Sequence, residues 1–77
     1  MEFGVCEIFK IEDVSKVGIE RKIRDVTDSA RSKYKGVHVE IRRSFVNPTG
    51  GFDDLRVQVC GDAEKFGEVM SFINDQF

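Results

Sequence analysis

The side chains able to do chemistry are few and scattered. His38 is the single histidine, Cys6 and Cys60 are the two cysteines, and Asp53-Asp54 is a candidate acid pair. Nucleophilic catalysis needs a base within hydrogen-bond reach of the nucleophile and a third group to orient that base. Nothing in the sequence places such partners near His38. Zinc sites are built on closely spaced ligand pairs, which Cys6, Cys60 and His38 lack. Thr49-Gly50-Gly51 is not followed by the Lys-Ser/Thr and helix of a phosphate loop, so it reads as a turn. Adjacent residues entering a strand point in different directions, so Asp53 and Asp54 suit turn capping better than paired acid-base work. The chain is expected to be non-enzymatic, with no cofactor and no metal.

Charge is the remaining chemistry, and it is unevenly placed. The formal net charge of -2 conceals a basic middle, with nine bases against four acids in residues 16–43. The flanks are acidic: four acids against one base in residues 1–15, and six against two in residues 53–77. Near the C-terminus Glu64, Glu68, Ser71 and Asp75 follow at i, i+4, i+7 and i+11, one line along a helix. Phe72 projects about 120° away from that helix's apolar stripe, toward the acids. An acidic ridge beside an exposed aromatic has the form of a protein contact surface, with Glu64, Glu68, Phe72 and Asp75 as its contact residues. Asp62 is placed to cap the first turn and Glu64 lies near the positive end of the helix dipole, so part of this acidity also has a structural reading.

The basic counterpart is Arg21, Arg24, Arg31 and Lys35 on a helix, with Arg42 and Arg43 on the strand that follows. These are the candidate phosphate contacts of a nucleic-acid-binding module, against which a pI near 5.3 argues. Arg21 with Asp25 and Arg24 with Asp28 are also spaced for intrahelical ion pairs, which would make the face structural.

Five elements must position these residues. Glu2 to Ile11 reads as a first strand that is apolar on both sides except at Glu7, the pattern of a central or covered strand. Asp13 or Ser15 then opens a helix running to about Lys35, with the core stripe Ile19, Ile23, Val26, Ala30 and Tyr34 and a stop at Gly36. A second strand, Val37 to Phe45, alternates Val37, Val39, Ile41 and Phe45 against His38, Glu40, Arg42 and Ser44. A turn-rich loop from Ser44 to Asp54, expected to be mobile, leads to a third strand, Leu55 to Cys60. After a Gly61-Asp62 break comes the final helix, whose core stripe is Phe66, Val69, Met70, Ile73 and Phe77.

A strand-helix-strand connection favours parallel first and second strands, while the second and third form an antiparallel hairpin. The expected fold is therefore α+β: a two-layer β-α-β-β-α sandwich with a three-stranded mixed sheet and two helices on one face. The other sheet face would stay open, carrying a mix of His38, Glu40, Arg42, Arg56 and Gln58, and could itself dock a partner. At 77 residues, with 40% hydrophobic and 34% charged, the chain is one domain, 1–77, with an adequate but shallow core. Two cysteines inside apolar strands read as reduced core residues of a cytoplasmic protein. The acidic N-terminus and the lack of any 18-residue apolar run argue against export and membrane spanning.

The element order at this length, Gly18 leading into the helix of Ile23, Val26, Ala30 and Tyr34, then Val37-His38-Val39, Leu55-Arg56-Val57 and the closing Asp62 to Met70, resembles the DinI-like proteins. These are small bacterial and phage proteins that bind the RecA recombinase and modulate the SOS response. The resemblance implies an acidic C-terminal helix that engages RecA by imitating the charge of single-stranded DNA, through Glu64, Glu68 and Asp75. This chain departs from the family in lacking a tryptophan and a longer acidic tail, in its longer loop between the second and third strands, and in its more basic first helix.

Two function classes compete. One is a protein-binding regulator or inhibitor directed at RecA or another DNA-binding protein, or a phage protein directed at a host or defence complex. The other is the nucleic-acid-binding module. A homodimer joining the basic helix of one copy to the acidic helix of another is a third arrangement.

Overall fold

The computed structural model describes residues 4–44 and 50–77. Its elements in chain order are β1 (Cys6–Ser15), α1 (Ile19–Lys33), β2 (Val37–Arg43), β3 (Phe52–Gly61), a 3-10 turn (Ala63–Lys65) and α2 (Phe66–Gln76). The sheet order is β1-β3-β2, and both pairings are antiparallel. The α+β layering is as the sequence implies, but the mixed sheet is not. β1 and β2 do run in the same direction, yet β3 lies between them, so no parallel ladder forms. The first strand, expected to be central, is an edge.

Strand alternation sends Ile11, Val14, Val37, Val39, Ile41, Leu55, Val57 and Val59 to one side of the sheet. There they form one cluster with Ile19, Val26 and Ala30 of α1 and Phe66, Val69 and Ile73 of α2. Both helices thus cover a single face, and their buried positions fall on the apolar stripes that their 3.6-residue period defines. Leu55, Val57 and Val59 are 0% exposed, which makes β3 the deepest strand.

The helix expected to begin at Asp13 or Ser15 begins at Ile19 instead. A bulge between Ile11 and Val14 carries β1 on to Ser15, with Asp13 at φ 58° and its amide donating to Asp54 Oδ1 at 3.3 Å. Aspartate tolerates this left-handed conformation, and the extra residue returns Val14 to the core face. β3 likewise starts earlier than its hydrophobic run, at Phe52, so part of the expected loop is strand. Phe45 and the other residues from 45 to 49, and Glu2 and Phe3 of the expected first strand, lie outside the described residues.

Where β3 enters, Asp53 is buried beneath Arg43, whose Nε and Nη2 donate to Asp53 Oδ2 at 2.8 and 2.5 Å. Lys16 Nζ adds a contact at 3.6 Å to Asp53 Oδ1, and Glu20 lies 3.7 Å from Arg43. Donating hydrogen bonds to the Asp53 carboxylate raises the Arg43 pKa above its already high ordinary value, so Arg43 stays charged at any working pH. Asp53 and Asp54 do point in different directions: one ties β3 to β2 and to the β1–α1 connection, the other caps the bulge. Where β3 ends, Gly61 at φ 120° brings its backbone against Gly36, and a Cβ there would sit 2.4 Å from the Gly36 carbonyl oxygen.

The cysteines are not reduced core residues. Cys6 and Cys60 face each other across β1 and β3 and form a disulfide on the side of the sheet away from the helices, Cys6 exposed and Cys60 buried. Among the described residues no helix is long and apolar enough to cross a membrane. The bond joins positions 54 residues apart, so chain-entropy reasoning puts its contribution at about 4 kcal/mol. Urea unfolding with and without a reductant should differ by about that amount, and Cys6→Ser should reproduce the reduced curve.

Candidate functional site

Helix α2 is launched by Asp62, whose Oδ1 accepts the Glu64 amide at 3.2 Å and starts the 3-10 turn. Its apolar side docks on the sheet through Phe66, Val69 and Ile73, and this fixes which way the polar side faces. Glu68, Ser71, Phe72 and Asp75 turn toward α1 and, with Gly67, Lys33 and Tyr34, line a shallow open groove of about 500 Å³. Three of the four residues expected on the acidic ridge, Glu68, Phe72 and Asp75, therefore meet in one place. Glu64 is exposed in the turn ahead of α2 and does not line the groove.

Phe72 is not the stray exposed aromatic that the helical wheel suggests. It is half-buried, packs edge-on against Tyr34 with ring centroids 5.8 Å apart, and borders the core. Lys33 Nζ lies 5.0 Å from the Phe72 ring centre and 5.8 Å from that of Tyr34, so a cation already sits over the aromatic pair. At the other end of the interface, Lys22 lies 5.5 Å from the ring centre of Phe77. The basic and acidic helices thus meet side by side within one chain.

The basic residues are dispersed rather than gathered. Arg31 donates from Nε and Nη2 to the Val39 carbonyl at 3.2 and 2.9 Å, covering part of the outer edge of β2. Arg43 is held by Asp53, and Arg42 pairs with Glu40 on the sheet face away from the helices. Lys35 is exposed, its carbonyl accepting from Lys65 Nζ at 2.8 Å. Arg21 and Arg24 are exposed on α1. The expected pairs Arg21–Asp25 and Arg24–Asp28 do not close among the described residues. No single surface collects the six candidate phosphate contacts, because α1 and Arg42 lie on opposite sides of the sheet. No group of three or more metal-ligating side chains comes together among the described residues.

Tyr34, Lys33 and Gly67 are groove residues that the sequence reading did not assign to a site. The signal available was weak: Tyr34 ends the α1 core stripe, and only the docking of α2 reveals which side chain it meets. A packed Phe72 predicts that Phe72→Ala costs about 2 kcal/mol in urea unfolding, roughly half the loss for a fully buried phenylalanine. A solvated Phe72 would change stability by less than about 0.5 kcal/mol.

No protein-family model, curated protein or solved structure matches this chain.

Proposed function

We propose that this chain is a non-enzymatic regulator or inhibitor that captures a basic surface of a partner protein in the groove between α1 and α2. The observation that carries this reading is the convergence of Glu68 and Asp75 on a groove walled by Phe72 and Tyr34. Carboxylates beside a packed aromatic pair offer a partner's arginine both charge and a flat apolar contact, the combination that concentrates binding energy at interfaces. Because Lys33 already lies over the rings, selectivity for a cation rests on the two carboxylates at the rim.

RecA, or another DNA-binding protein whose groove accepts phosphates, is the first partner to test. The resemblance to DinI-like proteins names it, and an acidic groove is the complement of such a surface. A regulator of this kind works in the cytoplasm, whereas the Cys6–Cys60 disulfide is the chemistry of an oxidising compartment.

The test is retention of purified RecA on the immobilised protein, compared with Glu68→Lys/Asp75→Lys and with Glu64→Lys. Wild type should retain RecA, and the double variant should lose roughly tenfold or more in affinity with an unchanged melt. Glu64→Lys, outside the groove, should change affinity by no more than about twofold. Failure to retain RecA removes that partner, and equal retention by the double variant removes the groove.

A further inference from the structure

The side of the sheet opposite the helices carries a second arrangement, distinct from the groove. The strand register lays Cys6 of β1, Cys60 of β3 and His38 of β2 in one cross-strand row. The disulfide spans the first two positions, and its two halves have unlike surroundings. Cys6 lies on an edge strand and is exposed, whereas Cys60 lies on the central strand and is 5% exposed. In thiol–disulfide exchange a thiolate attacks one sulfur and the other leaves, and access and leaving-group stability decide which is attacked. The attacking sulfur enters in line with the bond that breaks. For Cys6 that line comes in over the outer edge of β1, beyond which no strand lies among the described residues. For Cys60 it comes in over β2, where His38 stands.

The leaving sulfur is distinguished as well. Gln58 Nε2 donates to Cys60 Sγ at 3.6 Å, so a donor is already aimed at the sulfur that gathers negative charge when Cys6 is attacked. The start of β1 has little else to hold it. Residues 4–8 and Lys10 are exposed, Phe9 is half-buried, and Ile11 is the first buried residue of the strand. The backbone ladder and the disulfide therefore tie this end of β1 to β3.

We propose that Cys6 and Cys60 form a reversible exchange site for a low-molecular-weight thiol, with Cys6 as the sulfur attacked and Cys60, aided by Gln58, as the leaving and resolving sulfur. The thiolate bonds to Cys6 Sγ as the Cys6–Cys60 bond breaks, and the electron pair passes to Cys60 Sγ, which takes a proton from water. A second thiolate then attacks the small molecule's sulfur in the mixed disulfide and releases Cys6 as a thiolate. Two small thiols are thereby oxidised to one disulfide, and the protein disulfide is reduced to two thiols. In the opposite direction Cys60 expels the small thiol from Cys6 and restores the bond. Opening frees the start of β1, while the core from Ile11 onward stays packed. This site does not depend on the proposed groove, which lies on the other side of the sheet.

The test uses reduced glutathione as the probe on the oxidised full chain, with adducts trapped by acid and mapped by mass spectrometry. The first adduct should be one glutathione on Cys6, in about tenfold or greater excess over Cys60. Its rate should rise in proportion to glutathione and stay level in urea below the unfolding transition, as attack on the folded protein requires. Gln58→Leu should slow the step about fivefold without urea, because part of a hydrogen bond to a charged group is lost from the transition state. After complete reduction, amide hydrogen exchange should quicken more at Glu7 and Phe9, which face β3, than at Glu40 and Gln58 in the β2–β3 ladder. No Cys6 adduct at any glutathione concentration, adducts shared equally with Cys60, or exchange that appears only as urea unfolds the chain would overturn the site. An unchanged rate in Gln58→Leu would overturn the role of Gln58, and a uniform loss of amide protection would overturn the release of β1.

Discussion

Every ladder hydrogen bond of the sheet has one partner on β3, because β3 alone touches both other strands. Its inward side chains Leu55, Val57 and Val59 have no exposure, and its outward ones, Arg56, Gln58 and Cys60, each sit at the centre of a cross-strand row. Its two ends are fixed by different means. Asp53 draws Arg43 and Lys16 onto one end, and the missing Cβ of Gly61 lets the chain pass close to Gly36 at the other. A strand held on both sides and at both ends sets the register of everything packed on it.

That register divides the molecule into two chemically different sides. On the helix side, burial of Phe66, Val69 and Ile73 leaves Glu68 and Asp75 facing α1, and the Tyr34–Phe72 contact closes the seam between the helices. Some of the basic charge of the middle segment is consumed structurally: Arg31 on the β2 edge and Arg43 on Asp53. Glu68 and Asp75 of α2 make no ion pair among the described residues, and this is why the proposed contact surface is placed on them. On the other side, among the described residues no helix covers the rows, and the cations Lys10, Arg56 and Arg42 cross three strands beside Asp54.

Much of this was legible in the sequence. The period-2 alternation of β2 and β3 and the 3.6-residue stripes of both helices identify the core residues, and Gly36, Gly61 and Asp62 mark real boundaries. The five residues expected on an open sheet face, His38, Glu40, Arg42, Arg56 and Gln58, do share that face. Strand order was not legible, because alternation says which side a residue faces and not which strand lies beside it. The same ignorance of register hid the Cys6–Cys60 pairing. The β1 end is hidden because an acid before a helical pattern resembles a cap, whereas Asp13 takes a left-handed bulge position. The packing of Phe72 is hidden because a helical wheel for α2 contains no information about Tyr34 on α1. For the candidate site, the acidic positions were readable and their selection was not: only packing separates Glu68 and Asp75 from Glu64.

The two sides of the sheet follow from the placement of β3 between β1 and β2, and cross-strand NOEs measure that placement most directly. Non-hydrogen-bonded antiparallel pairs bring Cα atoms to about 4.5 Å, close enough for strong contacts between α-protons. The Val5 carbonyl accepts from the Gly61 amide and the Gly36 carbonyl from the Asp62 amide, which fixes the phase of each ladder. Strong α-proton contacts should therefore appear for Ile8 with Gln58, Lys10 with Arg56, Val39 with Val59 and Ile41 with Val57. Direct contacts between β1 and β2 in a parallel pattern, with the β1–β3 set missing, would contradict the fold.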